Sequence, residues 1–128
     1  MKQITDIFFD LDHTLWDFDK NSFLAFDKIF KEEHPTLDTN VFIEVYAPIN
    51  QACWKLYQVD KMTHEELRYN RLRQSFDVLK YTISDEAIDK ISHDYIEFLP
   101  DNNQLFDGAL EVLDYLYPKY NLHIIYIF

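Results

Sequence analysis

The chain has 128 residues, 48% of them apolar and 17% aromatic, with a formal charge of −11 at neutral pH. That composition excludes a disordered chain and leaves enough length for one domain, or part of a larger one, with a real core. The acidity excludes a nucleic-acid polymer, which is held by Lys and Arg neutralising phosphates, and the single cysteine, Cys53, excludes an intrachain disulfide or a Cys-based metal site.

No secretory h-region precedes Asp10, and no apolar run approaches the roughly 20 residues of a membrane span. The expectation is a cytoplasmic protein with no membrane partner. A small phosphorylated substrate stays compatible with the acidity if a metal ion masks the charge.

Residues Ile4 to Phe9 predict a buried strand, with Ile7, Phe8 and Phe9 consecutive. A polar loop from Asp10 to Asn21 follows, and Asn21 or Ser22 is expected to cap a helix carrying Phe23, Phe26, Ile29 and Phe30, ending before Pro35. A second helix starts near Asp38 or Thr39 and runs through Phe42, Tyr46, Cys53 and Leu56, with a bend or break expected at Pro48. Thr63 to Glu66, "THEE", is a capping-box signature opening a third helix. Ser84 opens a fourth, carrying Ile88, Ile91, Tyr95 and Phe98 up to Pro100. Asp107 to Tyr117 predicts a fifth, and "NLHIIYIF", from Asn121 to Phe128, a second buried strand.

Two apolar strands separated by helices imply a parallel sheet within an α/β fold. Four helices are too many for one crossover, so they read as an α-helical module inserted after the first strand. The expected organisation is a core at 1–16 and 101–128, with the inserted helical cap at 17–100.

The chemistry is concentrated where the first strand ends. Residues two apart at a strand end project to one side, so Asp10 and Asp12 converge beyond its carboxyl end, where open α/β sheets place ligands. Adjacent carboxylates suit a hard cation such as Mg²⁺. With the cation screening the pair, one carboxylate can attack phosphorus while the other handles the proton. Thr14 adds a hydroxyl that can hold the loop or the transferring group. Competing readings are a solvated turn, or the DxD of a metal-dependent sugar-nucleotide transferase.

"IFFDLDHTLWDF" resembles the strand-DxDxT motif of the haloacid dehalogenase superfamily of phosphohydrolases. "WDFDKNS", "EELRYNR" and "FDGALEVLDYLYPKYNLHII" are most similar to its pyrimidine 5′-nucleotidase group, which inserts a helical cap just after that motif. The resemblance implies a Mg²⁺-dependent phosphatase of nucleoside 5′-monophosphates or similar small phosphate monoesters. Asp10 would be the nucleophile that forms an aspartyl-phosphate, and Asp12 the general acid and base. The Asp10 side chain and the Asp12 backbone carbonyl would hold Mg²⁺. A sugar phosphate is the alternative substrate class.

Trp16 and Phe18 are read either as walls of a base pocket or as packing. Arg68, Arg71 and Arg73 are read first as a solvated helix face and second as substrate contacts, Arg71 foremost. His13 is read as a solvent-facing spacer, His64 as a surface residue, Cys53 as core, and His123 shows no visible partner. The family's phosphoryl-binding Ser or Thr would fall where Tyr126 stands, and its later Lys and acidic pair have no counterpart here. The expectation is therefore a fragment of a longer enzyme. Its rival is a non-catalytic chain that self-associates through the exposed apolar edge of its terminal strand.

Overall fold

A computed structural model describes residues 2–126 and gives an α/β chain with two parallel strands and five α-helices. These are β1 (Asp6–Asp10), α1 (Phe18–Glu33), α2 (Thr39–Gln58), α3 (His64–Val78), α4 (Asp85–Phe98), α5 (Ala109–Leu116) and β2 (Asn121–Ile125), with a 3₁₀ turn at Leu99–Asp101. The chain forms two compact units, Met1–Ser22 with Asn102–Phe128, and Phe23–Asp101.

The first unit holds the sheet. β1 and β2 pair in parallel, in the register Asp6 with Asn121, Phe8 with His123 and Asp10 with Ile125. The buried strands expected from the sequence are corrected here. β1 begins two residues later than predicted, and exposure alternates along it, with Ile7 and Phe9 half-buried and Phe8 60% exposed. β2 is an open strand, its Ile124 and Ile125 both exposed. An apolar run reports a strand but not what covers it, and two strands leave a face uncovered. Of the predicted second strand, Tyr126 falls beyond β2, and Ile127 and Phe128 lie outside the described residues. α5 starts at Ala109 rather than Asp107, because Gly108 stands before it at φ 85°, outside helical geometry.

The second unit is helical and owns the aromatic core. Phe26 stacks on Tyr95 at 4.2 Å and meets Tyr46 edge-on at 4.9 Å, and Phe30 packs on Phe42 at 4.8 Å. Leu72, Phe76, Ile88 and Ile91 close the cluster, all fully buried. These are the predicted helical stripes, brought to one centre by the 3.6-residue period.

The local signals read well at three of four caps. Asp38 accepts from the amides of Asn40 and Val41, Thr63 and Glu66 form the reciprocal capping box, and Ser84 accepts from Ala87. α1 is the exception. It starts at Phe18, and Asp17 accepts from the Lys20 amide at 3.2 Å. Asn21, expected as the cap, is fully buried and used elsewhere. Pro48 does not interrupt α2. It and Glu44, the residue whose carbonyl loses its partner, are both exposed, so water can satisfy the freed oxygen.

Candidate active site

Asp10 is the last residue of β1 and is exposed; Asp12 follows two residues later and is half-buried. Between them the strand pairing is extended once, by the Leu11 amide donating to the Ile125 carbonyl at 3.2 Å. The chain then folds back on itself. The Leu11 carbonyl accepts from the amides of Leu15 at 3.1 Å and Trp16 at 2.9 Å, and the His13 amide donates to the Trp16 carbonyl at 3.1 Å. The turn needs a left-handed residue, and His13 supplies it at φ 64°.

Two anchors hold this loop from within the same unit. Leu15, only 5% exposed, plugs it into the interior, and its carbonyl accepts from the Phe106 amide at 3.0 Å. Asn21 clasps the backbone of Gln104, donating through Nδ2 at 3.0 Å and accepting through Oδ1 at 2.9 Å, while the Asp17 amide also donates to the Gln104 carbonyl. The carboxylates thus stand on a loop fixed by backbone bonds rather than on a free tail. Sequence reasoning missed Asn21, Leu15 and Gln104. The only signal was an Asn four residues after Asp17, which looked like a cap.

Burial pushes the Asp12 carboxyl above its ordinary range; the nearby Asp10 charge adds to this and His13 opposes it. A raised carboxyl beside a second carboxylate can hold a proton for donation. The donor set is all oxygen, with two like charges close enough to feel one another, so it fits Mg²⁺, a hard cation that would relieve their repulsion.

The remaining predicted residues fall as follows. Thr14 is exposed in the turn. Trp16 is half-buried, its ring edge-on to Phe18 at 6.1 Å, and His13 is exposed with its ring 5.1 Å from Phe18. Arg71 lies in the helical unit and departs from the solvated-face reading. It is 4% exposed, donates to Asn50 Oδ1 at 3.2 Å and lies 5.4 Å from the centre of the Tyr95 ring. Arg73 also departs from it, bonding Tyr69, the Ile83 carbonyl and Asp85; Arg68 alone is exposed. His123 has the partners that the sequence did not reveal, stacking on Phe8 at 4.6 Å with Nε2 2.9 Å from Asp6 Oδ1. His64 packs beside Trp54 and Tyr57, and Cys53 is buried.

No protein-family model matches the chain. Two curated proteins do. It is 30% identical over 98% of its length to HAD-hydrolase YfnB of Bacillus subtilis, covering 52% of that protein. It is 33% identical over 91% of its length to pyrimidine 5′-nucleotidase PynA of Streptococcus pneumoniae, covering 48%. The crystal structure of YfnB bound to magnesium superposes with a TM-score of 0.83 at 26% identity, over 98% of this chain and 53% of that one. The chain resembles a haloacid dehalogenase hydrolase in both sequence and fold. It spans about half the length of the curated relatives it matches. Among the described residues no helix is long and apolar enough to cross a membrane.

Proposed function

We propose that the chain carries the nucleophile-bearing part of a Mg²⁺-dependent phosphohydrolase acting in the cytoplasm on a small phosphorylated metabolite, a nucleoside 5′-monophosphate first. The observation that carries this reading is the carboxylate pair at the end of β1, one exposed and one raised by burial, on a loop held by backbone bonds. The resemblance to YfnB and PynA supports the reaction class, and PynA supports the substrate class.

In this reading the Asp10 carboxylate attacks phosphorus and the ester P–O bond breaks. The departing oxygen takes its proton from Asp12. Asp12 then removes a proton from water as that water attacks the phosphorus, and the Asp10–phosphorus bond breaks to release phosphate. The Asp10 side chain and the Asp12 carbonyl would hold Mg²⁺, which when bound would neutralise charge on the phosphoryl oxygens. Thr14 and Trp16 are the substrate contacts in this proposal. Arg71 belongs to the other unit, and its buried guanidinium already serves Asn50 and Tyr95.

The test is Mg²⁺-dependent turnover of UMP, a sugar phosphate and p-nitrophenyl phosphate, by this chain and by a version extended with the unmatched part of YfnB. Asp10→Asn should abolish turnover by the active form, a loss on the order of 1,000-fold or more. Equal activity of Asp10→Asn would remove Asp10 from the mechanism, and preference for the sugar phosphate would replace the nucleotide as substrate. A second reading, a non-catalytic chain that associates with a second copy of itself through its sheet, is supported by the exposure of Ile124 and Ile125. Turnover in no form of the protein would favour it.

A further inference from the structure

Arg71 is a buried cation of the helical unit, 4% exposed, and its guanidinium lies 5.4 Å from the centre of the Tyr95 ring. The carboxylates of this unit pair with Lys31, Arg73, Lys90 and His93, and none among the described residues pairs with Arg71. A guanidinium taken out of water without a counter-ion is costly, and a ring face offsets only part of that cost. Its one hydrogen bond runs from Nη1 to Asn50 Oδ1 at 3.2 Å, while the buried Nε has no acceptor among the described residues. The Tyr46 hydroxyl is a second buried polar group without a partner. Tyr46, Asn50 and Cys53 are spaced four and three apart, on one face of α2. The Arg71 charge bears on both Tyr46 and Cys53. Burial holds the Tyr46 hydroxyl well above its ordinary range, so it stays a donor and supplies no negative charge.

We propose that Arg71, Tyr46 and Asn50 form a binding site inside the helical unit for the carboxylate of a small monocarboxylic acid. Nε and Nη2 make one edge of the guanidinium, and that edge matches both oxygens of a planar carboxylate. Asn50 holds the fork by its other end, through Nη1, and the Tyr46 hydroxyl donates a third hydrogen bond. One buried cation balances one negative charge, which favours a monoanion over a phosphate dianion. The approach selects the same way. Arg68 and Ser92, one turn before Arg71 and Tyr95, line an open groove of about 930 Å³ between α3 and α4, and Glu65, Asp89 and Glu97 also line it. Those three carboxylates repel a dianion about twice as strongly as a monoanion. His64 lies in the same wall, and burial, then the charges of Arg68 and Arg71, hold its imidazole below the ordinary range. The Arg71 charge is therefore felt in the groove. The site lies within one unit and does not rest on the proposed phosphatase chemistry.

The test follows the Arg71 Nε–H resonance by NMR while the purified protein is titrated with acetate at constant ionic strength, and separately with inorganic phosphate. The expected result is a saturable shift with acetate and a response to phosphate at least about tenfold weaker. Arg71→Lys keeps the charge but loses the planar edge, and should weaken binding of ¹³C-labelled acetate, read by its line width, about tenfold or more. Tyr46→Phe removes only the unpartnered hydroxyl, so it should keep the parent fold and weaken acetate about fivefold. Lys55→Gln removes an exposed cation of the same unit and should leave binding unchanged. If Arg71→Lys loses the parent circular dichroism spectrum, the parent titration and Tyr46→Phe decide. No saturable shift with acetate, a phosphate response equal to the acetate response, or acetate binding indifferent to Tyr46→Phe would each overturn the proposal. An acetate affinity that falls equally in Lys55→Gln would do the same, since general attraction to positive charge would then explain the binding.

Discussion

Asp27 on α1 accepts from the Thr39 hydroxyl at 2.8 Å and pairs with Lys31 at 2.7 Å. Lys31 first, and the Thr39 hydroxyl with it, hold the Asp27 carboxyl below the usual carboxylate range. A carboxyl lower in the folded than in the unfolded chain adds stability above its unfolded pKa of about 4, and that contribution is lost as the pH falls through the folded value. Lys31 is largely exposed, so the pair is worth about 0.5 kcal/mol. Asp27→Asn should therefore lower the thermal midpoint slightly at pH 7 and converge with the parent once the pH has fallen below the folded-state value. A gap that widens on acidification would show that the charge is not the stabilising element. At this scale the sequence was legible where the partner is near in the chain and silent where it is far. The placement of Asp10 and Asp12 at and just beyond the end of β1 could be read because two-residue spacing at a strand end is local geometry. Arg71 could not, since its acceptor Asn50 is 21 positions away, and nor could His123, whose acceptor Asp6 is 117 positions away.

Caps and turns are decided within four or five residues, and this explains why α2, α3 and α4 could be placed so closely. Thr63 and Glu66 each satisfy one amide of the other's neighbourhood, so Thr63→Ala should cost about 1 kcal/mol while Thr63→Ser or Thr63→Asp keeps most of the cap. Thermal melts of the three variants check this; equal losses would mean that the side-chain oxygen is not what matters. Gly108 tests the opposite case, a backbone requirement without a packing one. A Cβ there would meet nothing within 4 Å, yet φ is 85°. Gly108→Ala should thus cost about 1 kcal/mol through backbone strain alone, and Gly108→Asn less, since Asn tolerates left-handed geometry. The strands were harder to read because the pattern "IFFD" states period and polarity but not coverage. Coverage depends on what else packs on the sheet, and that is not a local property.

The two units differ sharply in what they bury. The helical unit closes around Phe26, Phe30, Phe42, Tyr46, Phe76 and Tyr95, with Leu72, Ile88 and Ile91 filling between them. In the sheet-bearing unit the buried side chains among the described residues are Leu15, Asn21, Ser22 and Ala109. Burial of apolar surface at about 25 cal/mol per Å² is the main source of stability, so the local opening energies of the units should differ too. In native-state hydrogen exchange, the amides of α2, α3 and α4 should be protected about 100-fold or more beyond those of β1 and β2, a difference of roughly 3 kcal/mol. Phe26→Ala removes a ring that contacts Phe30, Phe42, Tyr46 and Tyr95, and should cost about 3–5 kcal/mol. The loss should appear as faster exchange throughout α2 and α4, the helices bearing three of those four partners. Uniform protection across strands and helices in the parent chain would mean that the sheet is stabilised by more than its own buried residues. In that case the open face of Phe8 and Ile125 would have to be covered in solution, by a second copy or by another chain.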